Sequence, residues 1–153
     1  MDIKKNASFC VDHRKFGEGL YISRIDGDVT TYDMRTRRPN GGVYMDNVTM
    51  HTFEHMFSTY IRNTELEVLY FGPMGCQTGF YLLIRNADNV RVLAEIKECC
   101  KKIIGHKGEV FGASEKECGN YRSLELDTAK REAQAFLEIL NKGKNDFKYF
   151  QED

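Results

Sequence analysis

In the segment HTFEH, residues 51–55, two histidines stand four apart, with Glu54 directly before the second. On a helix this spacing turns the side chains about 40° apart and one turn up, so both imidazoles leave from one stripe with the glutamate beside them. Two imidazoles so placed can grip one divalent ion, and the carboxylate can reach the substrate or water held there. The order is the inverted HxxEH of some zinc peptidases. With four histidines in the chain, chance produces such a match in roughly one chain in a hundred. The competing reading is the polar stripe of an ordinary solvated helix.

Two imidazoles leave a divalent ion short of ligands, so a third protein donor is required, with one position open for chemistry. The downstream candidates are Cys118 in KECGNY, Cys76 in PMGCQTG, and the carboxylates Glu115, Glu117 and Glu125. Gly119 beside Cys118 would let the backbone bend to present a thiolate, and one thiolate with two imidazoles suits zinc, iron(II) or cobalt(II). Taken alone, Cys118 reads as a free thiol. Cys76 falls in a turn between two strands, where catalytic groups are common; a nearby cation would make its thiolate a usable base. Its plainer reading is a small buried apolar residue. Cys99 and Cys100 fall within a helix and receive no chemistry, Cys10 is unassigned, and His106 reads as a helix cap or surface residue. Ser8, Asp12 and His13 in ASFCVDH, and Arg35 in YDMRTRRPN, are individually unremarkable, an arginine before a loop being usually solvated.

These residues must be positioned by ordinary elements. Residues 19–37 alternate apolar and polar around IDGD, which predicts a hairpin, and RPNGG at 38–42 is a loop. A helix is expected over about 47–63, with Met50, Phe53, Met56, Phe57, Tyr60 and Ile61 on one apolar face. LEVLYF (66–71) and TGFYLLIR (78–85) read as strands around GPMGCQ. A second helix is expected over 88–104, with Asp88 as N-cap and Gly105 as C-cap. Residues 111–126 read as irregular, and a last helix runs over about 127–141 with Asp127 as N-cap. Strands mixed with three to four helices in 153 residues point to one α+β domain built on a mainly antiparallel sheet.

Composition narrows the classes further. A formal net charge of −1 argues against nucleic acid or an anionic membrane surface as partner. No apolar run approaches the roughly 20 residues of a membrane span, and the N-terminus lacks the apolar stretch of a secretory signal. An odd cysteine count of five, two of them adjacent, makes a poor disulfide framework. Reduced thiols and a cytoplasmic location are expected.

Together the ordered set SF..DH, YDMR..PN, HTFEH, GPMGCQTGFY and ECGNY resembles the S-ribosylhomocysteine lyase (LuxS) family, over about residues 8–137. The resemblance implies that His51, His55 and Cys118 hold one divalent metal per subunit, Fe²⁺ in the cell with Zn²⁺ or Co²⁺ also accepted. It implies that Glu54 and Cys76 are the acid/base groups, that Ser8, His13 and Arg35 line the substrate pocket, and that two sites form at the interface of a homodimer. The implied reaction moves the carbonyl of S-ribosylhomocysteine from C1 to C3 and then eliminates homocysteine, leaving 4,5-dihydroxy-2,3-pentanedione, the autoinducer-2 precursor of quorum sensing, in a step that also serves the activated methyl cycle. Leu124 stands where many members carry His, and Gly72 where relatives often have Ser. Two other readings compete. An HxxEH metallopeptidase would prefer Glu125 as third ligand, and a non-catalytic metal-stabilised domain would close its site with four protein ligands.

Overall fold

Gly27 and Asp28 close the first hairpin, and Gly27 adopts φ 60°, the left-handed conformation that two-residue turns between twisted strands demand. They join β1 (Gly19–Asp26) to β2 (Val29–Arg35). The computed structural model describes residues 2–149. A 3-10 turn at Ala7–Cys10 precedes the hairpin, and α1 (Asn47–Arg62), β3 (Glu67–Pro73), β4 (Gly79–Arg85), α2 (Asn89–Ile104) and α3 (Leu126–Lys142) follow it. The strands form one antiparallel sheet in the order β1-β2-β4-β3. This is the α+β arrangement that the alternating and helical patterns predict.

The two-residue period of the strands sorts their side chains onto opposite faces. Tyr32 and Met34 of β2, with Phe80, Leu82 and Ile84 of β4, are buried toward the helices. There Phe53 of α1 packs on Phe57 at 5.5 Å and on Phe80 at 4.9 Å, and Phe71 stacks on Phe80 at 5.1 Å. Helices α2 and α3 complete this core with Ile96, Ile103, Phe136 and Leu140. The alternate residues Asp33, Arg35 and Tyr81 leave on the other face. Arg35 and Gly79 are register partners, so the end of β2 lies beside the start of β4.

Caps hold the helices where local signals place them. Asp46 accepts from the Thr49 amide at 2.7 Å, Asp88 accepts from the Val90 and Arg91 amides, and Gly105 ends α2. The expectation for α3 needs correction. It starts at Leu126, with Glu125 in the cap position and Asp127 in the first turn. The Glu125 amide is held at 3.0 Å by Thr52 of α1, and that tertiary bond fixes where the helix begins. Asp127 still helps as a negative charge near the helix N-terminus. Cys99 and Cys100 lie wholly inside the core, where burial pushes both thiols up, Cys99 to about 12. Neither is a nucleophile. Among the described residues no helix is long and apolar enough to cross a membrane.

Candidate metal centre and cysteine site

On α1, His51 and His55 leave the stripe opposite the core-facing Phe53, and the irregular segment after α2 folds over them. His51 Nδ1 lies 2.9 Å from the Ser123 carbonyl, and His55 Nδ1 lies 2.8 Å from the Phe111 carbonyl. A carbonyl has no proton to give, so each Nδ1–H is the donor and each Nε2 keeps its lone pair. Backbone groups thus set the ligand tautomer of both rings. Their ring planes cross at 89° with centroids 4.6 Å apart.

Cys118 completes the cluster. Its Sγ is 3.4 Å from His51 Nε2, and the donor atoms of His51, His55 and Cys118 all lie within 4.8 Å of one another. Ligand pairs on one tetrahedral ion stand roughly 3.3–3.7 Å apart, so sulfur and nitrogen already have that spacing. The Asn120 amide donates to Sγ at 3.4 Å, a polarity suited to thiolate. Two lone-pair nitrogens and a sulfur fit a divalent ion that accepts both donor types. Among the described residues, Glu125, the third ligand a peptidase reading prefers, is not in this cluster. Glu117 is engaged with Ser114 at 2.6 Å.

Two glycine and aromatic details shape this side. Gly112, at φ 71°, follows the Phe111 carbonyl, and a Cβ there would come within 3.0 Å of His55 Nδ1. His106, half-buried just past the end of α2, adds side-chain contacts to the helix-end position expected for it. Its Nε2 donates to the Glu109 carbonyl at 2.8 Å, so its Nδ1 accepts from the Tyr60 hydroxyl at 2.7 Å. Its ring rests on Phe111 at 4.8 Å. Glu54 is half-buried on the same helix stripe as the histidines, and among the described residues its carboxylate makes no hydrogen bond or ion pair.

A second group forms around Cys76. The chain reverses through Met74–Gln77, with Gln77 donating to the Met74 carbonyl, and this exposes the Cys76 thiol rather than burying it. Cys76 Sγ is 3.0 Å from Thr78 Oγ1 and 3.8 Å from Arg35 Nη1, and that same nitrogen donates to Thr78 Oγ1 at 2.8 Å. The cation nearest this sulfur is therefore Arg35. Far from being solvated, Arg35 is 2% exposed. Its Nε and Nη2 form a bidentate pair with Asp33 at 3.0 and 2.6 Å, and its guanidinium lies 5.1 Å above the Phe16 ring. Burial pushes the Asp33 carboxyl up against the pull of Arg35.

His13 packs on that same Phe16 ring at 5.4 Å, its Nδ1 donating to the Val11 carbonyl at 2.8 Å. Ser8, on the 3-10 turn, lies beside Tyr81 and lines a cleft with Tyr70 and Tyr81. Gly72 matters to this cleft, because a Cβ there would collide with the Tyr70 hydroxyl that lies across it.

The predicted residues thus fall into two groups. His51, His55, Cys118 and Glu54 belong to the helix side; Cys76, Arg35, His13 and Ser8 belong to the side of Arg35 and Tyr81. Asp33 and Thr78, which orient Arg35, carried a usable signal: Asp33 precedes Arg35 by two on a strand, and so shares its face. The carbonyls of Phe111 and Ser123 carried none, since every residue has one.

The family model described as S-ribosylhomocysteinase (LuxS) matches residues 6–146. The S-ribosylhomocysteine lyase of Borreliella afzelii (strain PKo) is 42% identical over 147 residues, covering 91% of this chain and 94% of its own length. That of Finegoldia magna is 40% identical over 145 residues, covering 91% and 93%. That of Clostridium beijerinckii is 40% identical over 146 residues, covering 88% and 90%.

Proposed function

Because the chain belongs to the S-ribosylhomocysteinase (LuxS) family, its activity is that of an S-ribosylhomocysteine lyase, a carbon–sulfur lyase, and we propose how its two groups of residues divide the work. The observation that carries the proposal is the cluster of His51, His55 and Cys118, with both Nε2 lone pairs freed by backbone carbonyls. These three residues hold one divalent ion per subunit. We assign Fe²⁺, with Zn²⁺ and Co²⁺ accepted by the same donors. When bound, the ion supplies Lewis-acid polarisation of a sugar carbonyl oxygen.

The chain's own groups then move protons. Cys76 Sγ, beside the Arg35 cation, takes a proton from the carbon next to the carbonyl and returns it to the neighbouring carbon. Glu54, without a partner among the described residues, exchanges protons with the adjacent hydroxyls. Two such shifts carry the carbonyl from C1 to C3. Removal of the C4 proton then expels homocysteine as the C5–S electron pair leaves with sulfur, which takes up a proton. The carbon skeleton remains as 4,5-dihydroxy-2,3-pentanedione, and no redox partner is consumed. Ser8 and His13 orient the substrate by hydrogen bonds.

The site is proposed to need two copies of the chain, in a cytoplasmic homodimer whose subunits are each one lyase domain over residues 1–153. Two features support this. The Arg35 side chain leaves the sheet on the face away from the helices, whereas the histidines lie on the helix side. Near the Ser8 cleft, Phe9 is 71% and Tyr70 50% exposed, large apolar surfaces of the kind an interface covers. The test is incubation of purified, metal-loaded protein with S-ribosylhomocysteine, following free homocysteine thiol. Release that stops on chelation is expected; no release would refute the activity, and release unaffected by metal removal would refute the ion's part in it.

A further inference from the structure

The family match ends at residue 146, and the chain beyond it turns back onto the sheet face that carries Arg35. Asn145 and Phe147 make the reversal with left-handed φ values of 50° and 65°. The Asn145 amide group donates to the Leu140 carbonyl at 2.8 Å, anchoring the turn to the end of α3. The Ile22 amide donates to the Phe147 carbonyl at 2.8 Å, so the tail is pinned along β1.

Two residues on, Tyr149 stacks on Tyr21 at 5.0 Å with an interplanar angle of 20° and packs on Phe16 at 4.8 Å. Its hydroxyl donates to Asp33 Oδ2 at 2.9 Å. That oxygen is also the one that receives Arg35 Nη2 at 2.6 Å. Asp33 is fully buried, so these donors replace water for its carboxylate.

We propose that Tyr149 is a positioning residue of the cysteine site, its hydroxyl fixing the Asp33 carboxylate and Asp33 in turn fixing the guanidinium plane that presents Nη1 to Cys76. A guanidinium is planar, so once Nε and Nη2 are docked on a carboxylate, the direction of Nη1 is determined. The carboxylate itself turns about a broad torsion with no sharp minimum. A third donor to the carboxylate, the Tyr149 hydroxyl on Oδ2, is what holds it. Phe16 lies against both Tyr149 and Arg35, so the ring of Tyr149 also keeps water from the pair. The inference rests on the role assigned to Cys76.

Tyr149→Phe isolates the hydroxyl, because the stacked ring is retained. Its kcat for homocysteine release should fall about tenfold while KM stays within about twofold, the signature of lost positioning rather than lost binding. In substrate-free, metal-loaded protein, iodoacetamide alkylation of Cys76, read on its own peptide by mass spectrometry, should slow by a similar factor. Wild-type kinetics in both assays by Tyr149→Phe, beside an active wild type, overturns the inference. So does slowing by Tyr149→Ala with none by Tyr149→Phe, which assigns the effect to the ring. If wild type releases no homocysteine, the activity reading fails, yet slower alkylation in Tyr149→Phe still supports the positioning of Arg35.

Discussion

His55 donates through Nδ1 to the Phe111 carbonyl at 2.8 Å, and the residue after that carbonyl, Gly112, leaves 3.0 Å between a hypothetical Cβ and the same nitrogen. The bond that sets the tautomer of a proposed metal ligand therefore depends on a missing methyl. At φ 71° an added side chain is also strained. Gly112→Ala should weaken metal binding by about tenfold or more, as loss of an outer hydrogen bond to a ligand does. Competition with a chromophoric chelator measures it, and unchanged affinity would contradict the assignment.

Cys76 lies outside the ligand cluster and beside Arg35. Cys76→Ala should bind metal at the wild-type ratio yet lose ~10²–10⁴-fold in homocysteine release, the range of a lost general base. Substantial turnover by this variant would remove Cys76 from the mechanism. Loss of metal instead would recast it as a ligand.

The helix that carries both histidines starts on Asp46, whose side chain accepts from the Thr49 amide. Hydrogen bonds from Thr49, side chain first and then amide, hold its carboxyl below the usual carboxylate range. Because the folded value is depressed, the capping contribution is present above the ordinary carboxylate range and is lost as pH falls through the folded value. Asp46→Ala should cost about 1 kcal/mol at neutral pH. In urea titrations the gap to wild type should close below about pH 4. A gap that persists in acid would mean the cap acts through something other than its charge.

Glu132 on α3 is buried and holds Arg37 with three hydrogen bonds at 3.0 to 3.2 Å. Burial pushes its carboxyl up, against the opposing pull of Arg37. Arg37→Ala strands that charge and should destabilise by about 3–5 kcal/mol at pH 7. With a raised folded value, the stability linked to Glu132 is present below the ordinary range and lost as pH rises. The Arg37→Ala penalty should therefore shrink between pH 7 and pH 5, and equal penalties at both would contradict the stranded charge.

What the sequence disclosed and what it hid follow from the range of the forces involved. HTFEH is legible because helix geometry alone aligns His51, Glu54 and His55 within five residues. Asp88 and Gly105 cap α2 as local patterns predict. The start of α3 lies one residue before the local signal because Thr52, far off in the chain, holds the Glu125 amide. Arg35 before a polar loop looks solvated, and only the pairing of β2 with β4 brings Thr78 and Cys76 against it. The side-chain partners of His106 are hidden for the same reason, since Tyr60 and Glu109 meet it only in the folded chain. Tyr149 gives no local hint that its hydroxyl reaches Asp33.

In the proposed homodimer the helix side of one subunit meets the cysteine side of the other. This arrangement is tested most directly by mixing two inactive variants, Glu54→Ala and Cys76→Ala, and refolding them together. In a mixed dimer one site receives both defects and the other receives neither. An equal mixture in which half of the dimers are mixed should regain about a quarter of wild-type homocysteine release. If each site instead drew both groups from one chain, every site would carry a defect. The mixture would then stay as inactive as either variant alone.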